Sequence, residues 1–364
     1  MARYRSFRDL DWSMLVITLI ICCLGILQIY SATQNTKWSD AWWKQGVWVL
    51  VAIGMMWVVS SIDYHTLLAQ VPILYGLSIA ALIATFLVGK QVFGSRRWIR
   101  VPGTGFNFQI SEFVKLVIIL LVARYLSELK RDEIGWRELL KLGVLVGIPT
   151  ALVMKQPDLG TSLTYLPVLG VGILLAGIRW HYLVAIAVAG GLAITVAYPF
   201  LQDYQKARLT SFVDPMQDPR GNGYQVIQSK IAVGDGGLWG RGVTHGTQTQ
   251  GGFLPVPHTD FIFSAFAEEH GFVVVVVVLG LYFLLLMQIV QNAQMAPDRA
   301  GMYICMGVAT MLLFHVLINV GMVVGNMPVT GIPLPLMSYG GSNLFSIFIM
   351  LGLVNNVRLR RFSS

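Results

Sequence analysis

About ten apolar runs, each near 20 residues long, divide this chain, and they constrain its fold before any single motif does. They lie at roughly 12–32, 42–60, 66–89, 110–128, 138–154, 157–178, 180–200, 262–290, 300–326 and 336–357. A helix needs about 20 predominantly apolar residues to cross the hydrocarbon core of a bilayer. Inside that core every peptide group must find its partner within the protein, so spanning segments are helices or closed barrels. Barrel strands alternate apolar and polar residues with period two, and these runs do not. The chain reads as an all-α polytopic membrane protein, a bundle of about ten transmembrane helices. Only 12 % of its residues are charged, against about 25 % in soluble domains. A single domain is expected over 1–364, with short basic tails at 1–11 and 358–364 and a long structured loop at about 201–261, before helix 8.

The first run has no small-residue cleavage site of the usual kind and reads as a retained span. Cys22, Cys23 and Cys305 all fall inside apolar runs and suit packing, not a disulfide framework or a metal cluster. Gly143/Gly147 and Gly321/Gly325 have the spacing of close helix contacts.

An even number of spans brings both tails to one side. Arg3, Arg5 and Arg8 at one end, and Arg358, Arg360 and Arg361 at the other, make that side cytoplasmic by the positive-inside rule. Arg124, Lys130, Arg131, Arg137 and Lys141, between spans four and five, agree. Two loops on the opposite face then carry more cations than the rule expects. One holds Lys90, Arg96, Arg97 and Arg100; the other holds Lys206, Arg208, Arg220, Lys230 and Arg241. Long loops cross regardless of charge, but the short one points to an anionic ligand or to lipid headgroups.

The loop at 201–261 keeps apolar and aromatic residues throughout. Loops of this length are commonly functional. YQVIQSKIAV has Val226, Ile227, Ile231 and Ala232 at the spacing of a short amphipathic helix lying on the membrane. Glycines 234, 236, 237, 240 and 242 follow, permitting tight turns and close backbone approach. The stretch lacks the lysine spacing of a phosphate-binding P-loop.

Ionisable groups within spans are functional candidates by default. Glu112 and Lys115 are three apart and share a helix face, either as a structural ion pair or in the reaction. Asp158 opens the sixth run, where a carboxylate at a helix N-terminus is also favoured for stability. Asp260 stands between a proline-containing turn and a long apolar run, with Glu268 and Glu269 two turns further on; one of these two is expected to face the same cavity. His315 and Asn319, four apart, suit interhelical hydrogen bonding.

The strings GSRRWI (94–99), FQISEFVKL (108–116), QPDLGTS (156–162), DYQKARL (203–209), GNGYQVIQSKIAVGDGGLWGRG (221–242), HGTQTQ (245–250), HTDFIFSAFAEEHG (258–271) and PLPLMSYGGS (333–342) occur in order. Together they make the chain resemble the SEDS (shape, elongation, division and sporulation) family over nearly its whole length. HGTQTQ ahead of the HTDFIF block is similar to members serving elongation more than to those serving division. Ile110 stands where the family usually has proline, and Val256 where it usually has glutamate.

The resemblance implies a peptidoglycan glycosyltransferase polymerising lipid II, a disaccharide-peptide on undecaprenyl pyrophosphate, at the outer face of the bacterial cytoplasmic membrane. It implies a class B penicillin-binding protein as partner, alongside membrane lipids and no nucleic acid. By the same resemblance Asp260 is the catalytic residue. Arg96, Arg97, Gln109, Glu112, Lys115, Asp158, Lys206, Arg208, His258 and Thr259 are the expected substrate-binding set. His258 and Thr259 either orient substrate or cap the turn.

The chemistry fits that inventory. A β-1,4 link made from an α-linked donor inverts the anomeric centre, so one displacement suffices. It needs one base and a stabilised leaving group, not the nucleophile and acid of retaining glycosidases. Burial against Phe261, Phe263 and Pro257 would raise the pKa of Asp260, and nearby arginines would lower it. Arg96, Arg97, Lys206 and Arg208, with Lys115 deeper, are the expected clamps on the leaving pyrophosphate. A divalent cation, Mg²⁺ or Mn²⁺, could share that task through one or two carboxylates and the substrate phosphates. The competing readings are a flippase for lipid-linked precursors and a non-catalytic activator of the penicillin-binding protein.

Overall fold

The computed structural model describes residues 10–361 apart from 93–94, 101–106, 130–132, 198, 200–202 and 220. Helices α1 (Trp12–Thr33) and α2 (Ala41–Ser61) precede a six-residue α3 (Tyr64–Ala69) and α4 (Val71–Val88). A three-stranded antiparallel meander follows: β1 (Lys90–Val92), β2 (Ser95–Arg100) and β3 (Asn107–Phe108). Four long helices come next, α5 (Ile110–Ser127), α6 (Trp136–Lys155), α7 (Leu159–Leu175) and α8 (Trp180–Ala197). The long loop carries α9 (Asp203–Val213), α10 (Asn222–Asp235) and the four-residue α11 (Thr247–Gln250). The chain closes with α12 (Ile262–Gln294), α13 (Arg299–Val323) and α14 (Gly341–Arg360).

The ten expected spans therefore correspond to α1, α2, α4–α8 and α12–α14. Five of them, α1, α2, α12, α13 and α14, are long and apolar enough to cross a membrane by length and composition alone. Helices α5, α13 and α14 form the interior: α13 packs on α5, α7, α12 and α14, and α14 packs on α2. The perimeter is apolar, with Leu50, Leu77, Leu87, Leu140, Leu192 and Phe283 exposed. Water would penalise such a continuous surface, whereas lipid accepts it. The described side chains of α8 point almost wholly outward.

Polar side chains set the helix starts. Asp11, Asp63, Asp158 and Asp298 each accept a backbone N–H from the first turn of the helix they precede, satisfying one of its orphan donors. The third apolar run is divided at Gln70, because Pro72 at the start of α4 has no N–H to continue α3.

Several expectations are corrected. The short basic loop at 90–100 forms β1 and β2. Arg358 and Arg360 belong to the last turn of α14, where they pair with Asp11 (2.7 Å) and Asp63 (3.0 Å). Arg3, Arg5 and Arg8 lie outside the described residues. The YQVIQSKIAV helix exists as α10, but it packs on α12 and α13 through Val226, Ser229 and Ala232. Ser229 Oγ donates to the Val323 carbonyl at 2.6 Å and meets Ser264 Oγ at 3.0 Å. Gly143 and Gly147 face open space. Gly321 and Gly325 are closely approached, by Met327 and Lys230, and so are Gly25, where a Cβ would come within 2.6 Å of Met337 Cα, and Gly160, 2.7 Å from the Thr330 carbonyl.

The glycine-rich loop after α10 has a structural use. Helix α12 breaks at Gly271, whose φ is 76°. The loop fills the break: Arg241 and Gly242 donate to the carbonyls of Glu268 and Glu269, and Phe272 and Val273 donate to those of Gly237 and Leu238. Backbone groups freed by the kink are thereby satisfied away from water.

Candidate active site

The turn before α12 carries Asp260. A second segment, Asn326 to Gly340, returns into the bundle between α13 and α14 and packs against that turn; its Leu334, Leu336 and Met337 are buried. Prolines at 328, 333 and 335 exclude helix there, so the backbone must be held from outside. Asn319 Nδ2 donates both to the Asp260 carbonyl (2.9 Å) and to the Ile332 carbonyl (2.8 Å). Ser338 Oγ donates to the Thr259 carbonyl at 2.8 Å, and the Tyr339 N–H to that of His258 at 2.9 Å. Gln45 on α2 donates to the Ser338 carbonyl at 3.1 Å. Asp260 is thus fixed by its main chain, and its carboxylate is left to face the site. Gly331 lies beside it: a Cβ there would come 3.4 Å from Asp260 Oδ2.

The electrostatics of Asp260 combine burial and charge. Packing around the group raises its pKa, even though part of its surface stays open to the site. The cations of Arg97 and Arg208 oppose that rise, and Asp158 adds to it. Burial dominates, so the carboxyl sits above its ordinary value.

The two arginines are held by their surroundings. Arg97 Nη1 pairs with Asp158 Oδ1 at 2.8 Å, and its guanidinium lies 5.9 Å from the Trp98 ring centroid. Asp158 is 3 % exposed and has little left to offer a substrate. It accepts from Gln109 Nε2 at 2.8 Å and caps α7 through the Thr161 N–H at 3.2 Å. Gln109 is itself tied to α14, its N–H donating to Ser342 Oγ at 3.1 Å. Asp158 and Gln109 therefore act as positioning residues for Arg97. Arg208 Nη1 donates to the Thr330 carbonyl at 3.2 Å, which brings α9 to the re-entrant segment.

Other expected residues fall elsewhere. Lys115 and Glu112 are 1 % and 3 % exposed, deep in α5. The ammonium meets Glu112 Oε1 and Oε2 at 2.9 and 3.0 Å and His315 Nε2 at 3.1 Å. Asn343 Nδ2 adds a bond to Glu112 at 2.9 Å. This is a buried intramembrane network in which the ammonium and the carboxylate are paired with each other. Lys206 Nζ bonds the Pro199 carbonyl at 3.0 Å. The Arg96 side chain lies outside the described part of the structure. Thr259 serves the turn through its backbone, its N–H donating to the Val256 carbonyl at 3.1 Å. His258 is buried, and burial pushes its imidazole down to about 4, so it is neutral.

Glu268 and Glu269 do not face the Asp260 cavity. Glu268 accepts the N–H groups of Gln248 (2.6 Å) and Thr249 (3.0 Å) and the Thr249 hydroxyl (2.6 Å). Glu269 accepts from Ser31 Oγ at 2.6 Å and Gln28 Nε2 at 3.2 Å. They dock the HGTQTQ segment and α1 on α12. A cavity of about 570 Å³ at the other end of the bundle is lined by His65, Arg124, Glu128 and Asp298. It lies a full helix away from Asp260, and its Arg124–Glu128 and His65–Asp298 charges are paired at 3.0 and 2.7 Å.

Sequence reading missed Asn319 as the clamp on the Asp260 turn, and Thr330, Gly331 and Ser338 as its walls. Asn319 was marked only as a polar residue suited to interhelical bonding, and the walls had no signal beyond the proline-rich string ahead of α14. Among the described residues no group of three His, Cys, Asp or Glu side chains converges as metal ligands do. With Asp158 committed to Arg97, a divalent ion would find Asp260 and the substrate phosphates as its ligands.

Residues 11–362 match the family model of the cell cycle proteins FtsW, RodA and SpoVE. Peptidoglycan glycosyltransferase MrdB of Escherichia coli K12 is 37 % identical over 97 % of this chain and 94 % of its own. Peptidoglycan glycosyltransferase RodA of Treponema pallidum is 33 % identical over 99 % of this chain and its whole length. Among solved structures, a chain described under "Structural coordination of polymerization and crosslinking by a peptidoglycan synthase complex" superposes with a TM-score of 0.84 at 33 % identity, covering 98 % of this chain and 99 % of that one.

Proposed function

The chain belongs to the FtsW/RodA/SpoVE family of membrane proteins, as a RodA-like peptidoglycan glycosyltransferase, and we propose that Asp260 is the general base of its reaction, with Arg97 and Arg208 receiving the leaving group. The observation that carries this reading is a carboxylate raised by burial, flanked by two arginines, at the mouth of α12. The substrate is lipid II. The acceptor's 4-hydroxyl attacks the anomeric carbon of the lipid-linked donor. A C–O bond forms there, the bond to the pyrophosphate oxygen breaks, and the hydroxyl proton passes to Asp260.

A positioned base contributes about 10²–10⁴-fold, or roughly 3–5 kcal/mol of barrier. The upward shift of Asp260 brings its basicity closer to the working pH. The charge that grows on the pyrophosphate is stabilised by Arg97 and Arg208, and preorganised charge of this kind is commonly the largest catalytic contribution. The Arg97 side chain keeps 28 % of its surface exposed while Nη1 is held by Asp158, so the open edge of the guanidinium can donate to a phosphate oxygen. A divalent ion brought in by the substrate would add further charge at the pyrophosphate.

Both termini lie in the cytoplasm, and the Asp260 end of the bundle opens at the outer face. The basic clusters at both ends of the sequence support this orientation. One domain holds the whole site, because α2, α5, α7, α9 and α13 all contribute to it. The partner is a class B penicillin-binding protein that crosslinks the product; the likeness to a chain of a peptidoglycan synthase complex supports it.

The test is polymerisation of lipid II by purified protein in detergent, read as glycan ladders, alongside Asp260→Asn and Arg97→Ala. Polymer from the parent, none from Asp260→Asn and a large loss with Arg97→Ala are expected. Full activity in Asp260→Asn removes the base. Absence of polymer together with lipid II translocation in vesicles makes the protein a flippase. Polymer formed only by the penicillin-binding partner makes it an activator.

A further inference from the structure

The loop between α1 and α2 reads Gln-Asn-Thr-Lys-Trp-Ser-Asp, residues 34–40, and Trp38 is its one apolar side chain. The indole is held in place. Its backbone N–H donates to Thr36 Oγ1 at 3.1 Å, and its carbonyl accepts the Ala41 N–H at 2.8 Å. The ring rests on the His258 imidazole, with centroids 5.6 Å apart and planes tilted by 37°, and turns an edge to Tyr339 at 6.3 Å. Tyr339 in turn packs on Trp48 at 5.1 Å. His258 is 8 % exposed, whereas Trp38 is 42 % exposed. The assembly is a supported aromatic surface, covered from below and open above.

This surface and the carboxylate share one rigid turn. His258 is two residues before Asp260, and the Tyr339 N–H and Ser338 Oγ fix the carbonyls of His258 and Thr259. Two residues of chain span at most about 7 Å, the scale of one sugar ring. One face of a gluco-configured pyranose is a patch of C–H groups, and an electron-rich aromatic face is its natural complement. The Trp38 ring lies 5.6 Å beyond that of His258, so a sugar on Trp38 would sit about one further ring from Asp260 and align the substrate chain with it. Trp43, 62 % exposed on α2, has the setting expected of a membrane-interface residue; Trp38 differs from it in being stacked on His258 of the Asp260 turn.

We propose that Trp38, backed by His258 and Tyr339, is a carbohydrate-stacking subsite that grips a pyranose ring of the lipid-linked substrate beside Asp260. The proposal rests on the reading of Asp260 as the reacting carboxylate of a glycosyltransferase.

The test measures binding in the Asp260→Asn background, where turnover is removed, with three probes. These are undecaprenyl pyrophosphate, undecaprenyl pyrophosphoryl N-acetylglucosamine and lipid II. Trp38→Ala should raise Kd for both sugar-bearing probes about tenfold and leave the sugar-free probe unchanged. Trp38→Phe, which keeps an aromatic face, should recover most of the affinity. Equal weakening for all three probes overturns the proposal, as does no weakening, or the same pattern in Trp43→Ala. Sugar-dependent binding that needs Trp38, in a protein whose parent form makes no polymer, leaves the subsite standing and refutes the polymerase reading instead.

Discussion

Asn319 joins the two segments that build the site, and Asn319→Leu removes that joint while keeping the branched skeleton and heavy-atom count of the side chain. The residue is fully buried, and its amide donates at 2.9 Å to the Asp260 carbonyl and at 2.8 Å to the Ile332 carbonyl. Leucine leaves both acceptors facing an apolar group. A buried polar atom that loses its partner costs about 1–3 kcal/mol, so the pair costs roughly 2–6 kcal/mol. Carbonyls have a second lone pair to use, which favours the lower half of that range. The effect on rate is separate. Without the amide, the Asp260 turn and the 326–340 segment are free to part, and a displacement of about 1 Å at reacting atoms can cost about 10²-fold. That corresponds to about 2.7 kcal/mol of barrier. The assay pairs thermal unfolding in detergent with lipid II polymerisation measured well below the melting point. Both should fall, with kcat losing more than KM gains. A variant that melts earlier but polymerises at the parent rate would refute the claim that Asn319 positions Asp260. One that matches the parent in both would refute the hydrogen-bond geometry.

Other expectations follow from the same reasoning. Lys115→Met leaves Glu112 buried without its cation and should destabilise by about 3–5 kcal/mol; Glu112→Gln/Lys115→Met should regain most of the loss in thermal melts, since no unpaired charge remains. Gly271 is at φ 76° and a Cβ there would fall on the Gly240 and Trp239 backbone, so Gly271→Ala should fail to accumulate as folded protein. Gly280→Ala, with open space around it on the same helix, should accumulate normally. The base form of Asp260 is the carboxylate, so kcat/KM should fall on the acid side as pH drops through its raised pKa. Arg208→Gln removes an opposing cation and should move that acid limb to higher pH. A limb that moves the other way contradicts the stated balance. A carboxyl raised on folding favours the folded state at low pH and costs stability above its unfolded pKa near 3.9. Asp260→Asn should therefore melt no earlier than the parent at neutral pH.

The apolar runs were legible because a bilayer imposes a length and a composition on every span. Helix starts at Asp11, Asp158 and Asp298 were legible in principle for a local reason, since a cap and its helix are neighbours in sequence. Asp260 could be singled out from its position at the lip of an apolar run and from the family strings around it. Glu112 and Lys115 could be paired by their spacing, and only their function was open. Glycine spacing was a partial guide: Gly143 and Gly147 touch nothing, whereas Gly321 lies against Met327 and Gly325 against Lys230, and the tight approaches at Gly25 and Gly160 show no repeat, because their partners come from distant segments.

By itself, then, the sequence determined that this chain lives in a membrane as a bundle of helices and that it belongs to one family, and it singled out one acid at a helix mouth as the candidate for the reaction. Those are consequences of hydrophobicity, spacing and local strings. The tertiary structure alone decided which cations reach that acid. Arg97 and Arg208 are 111 positions apart in sequence, yet both act on Asp260, while Lys206, two residues from Arg208, turns to Pro199. It also decided that Asp158 holds Arg97, that Glu268 and Glu269 serve the fold, and that Trp38 lies over His258. Each of these is a contact between residues far apart in the chain. Such contacts depend on how helices pack and where the re-entrant segment lies, and no local pattern encodes them.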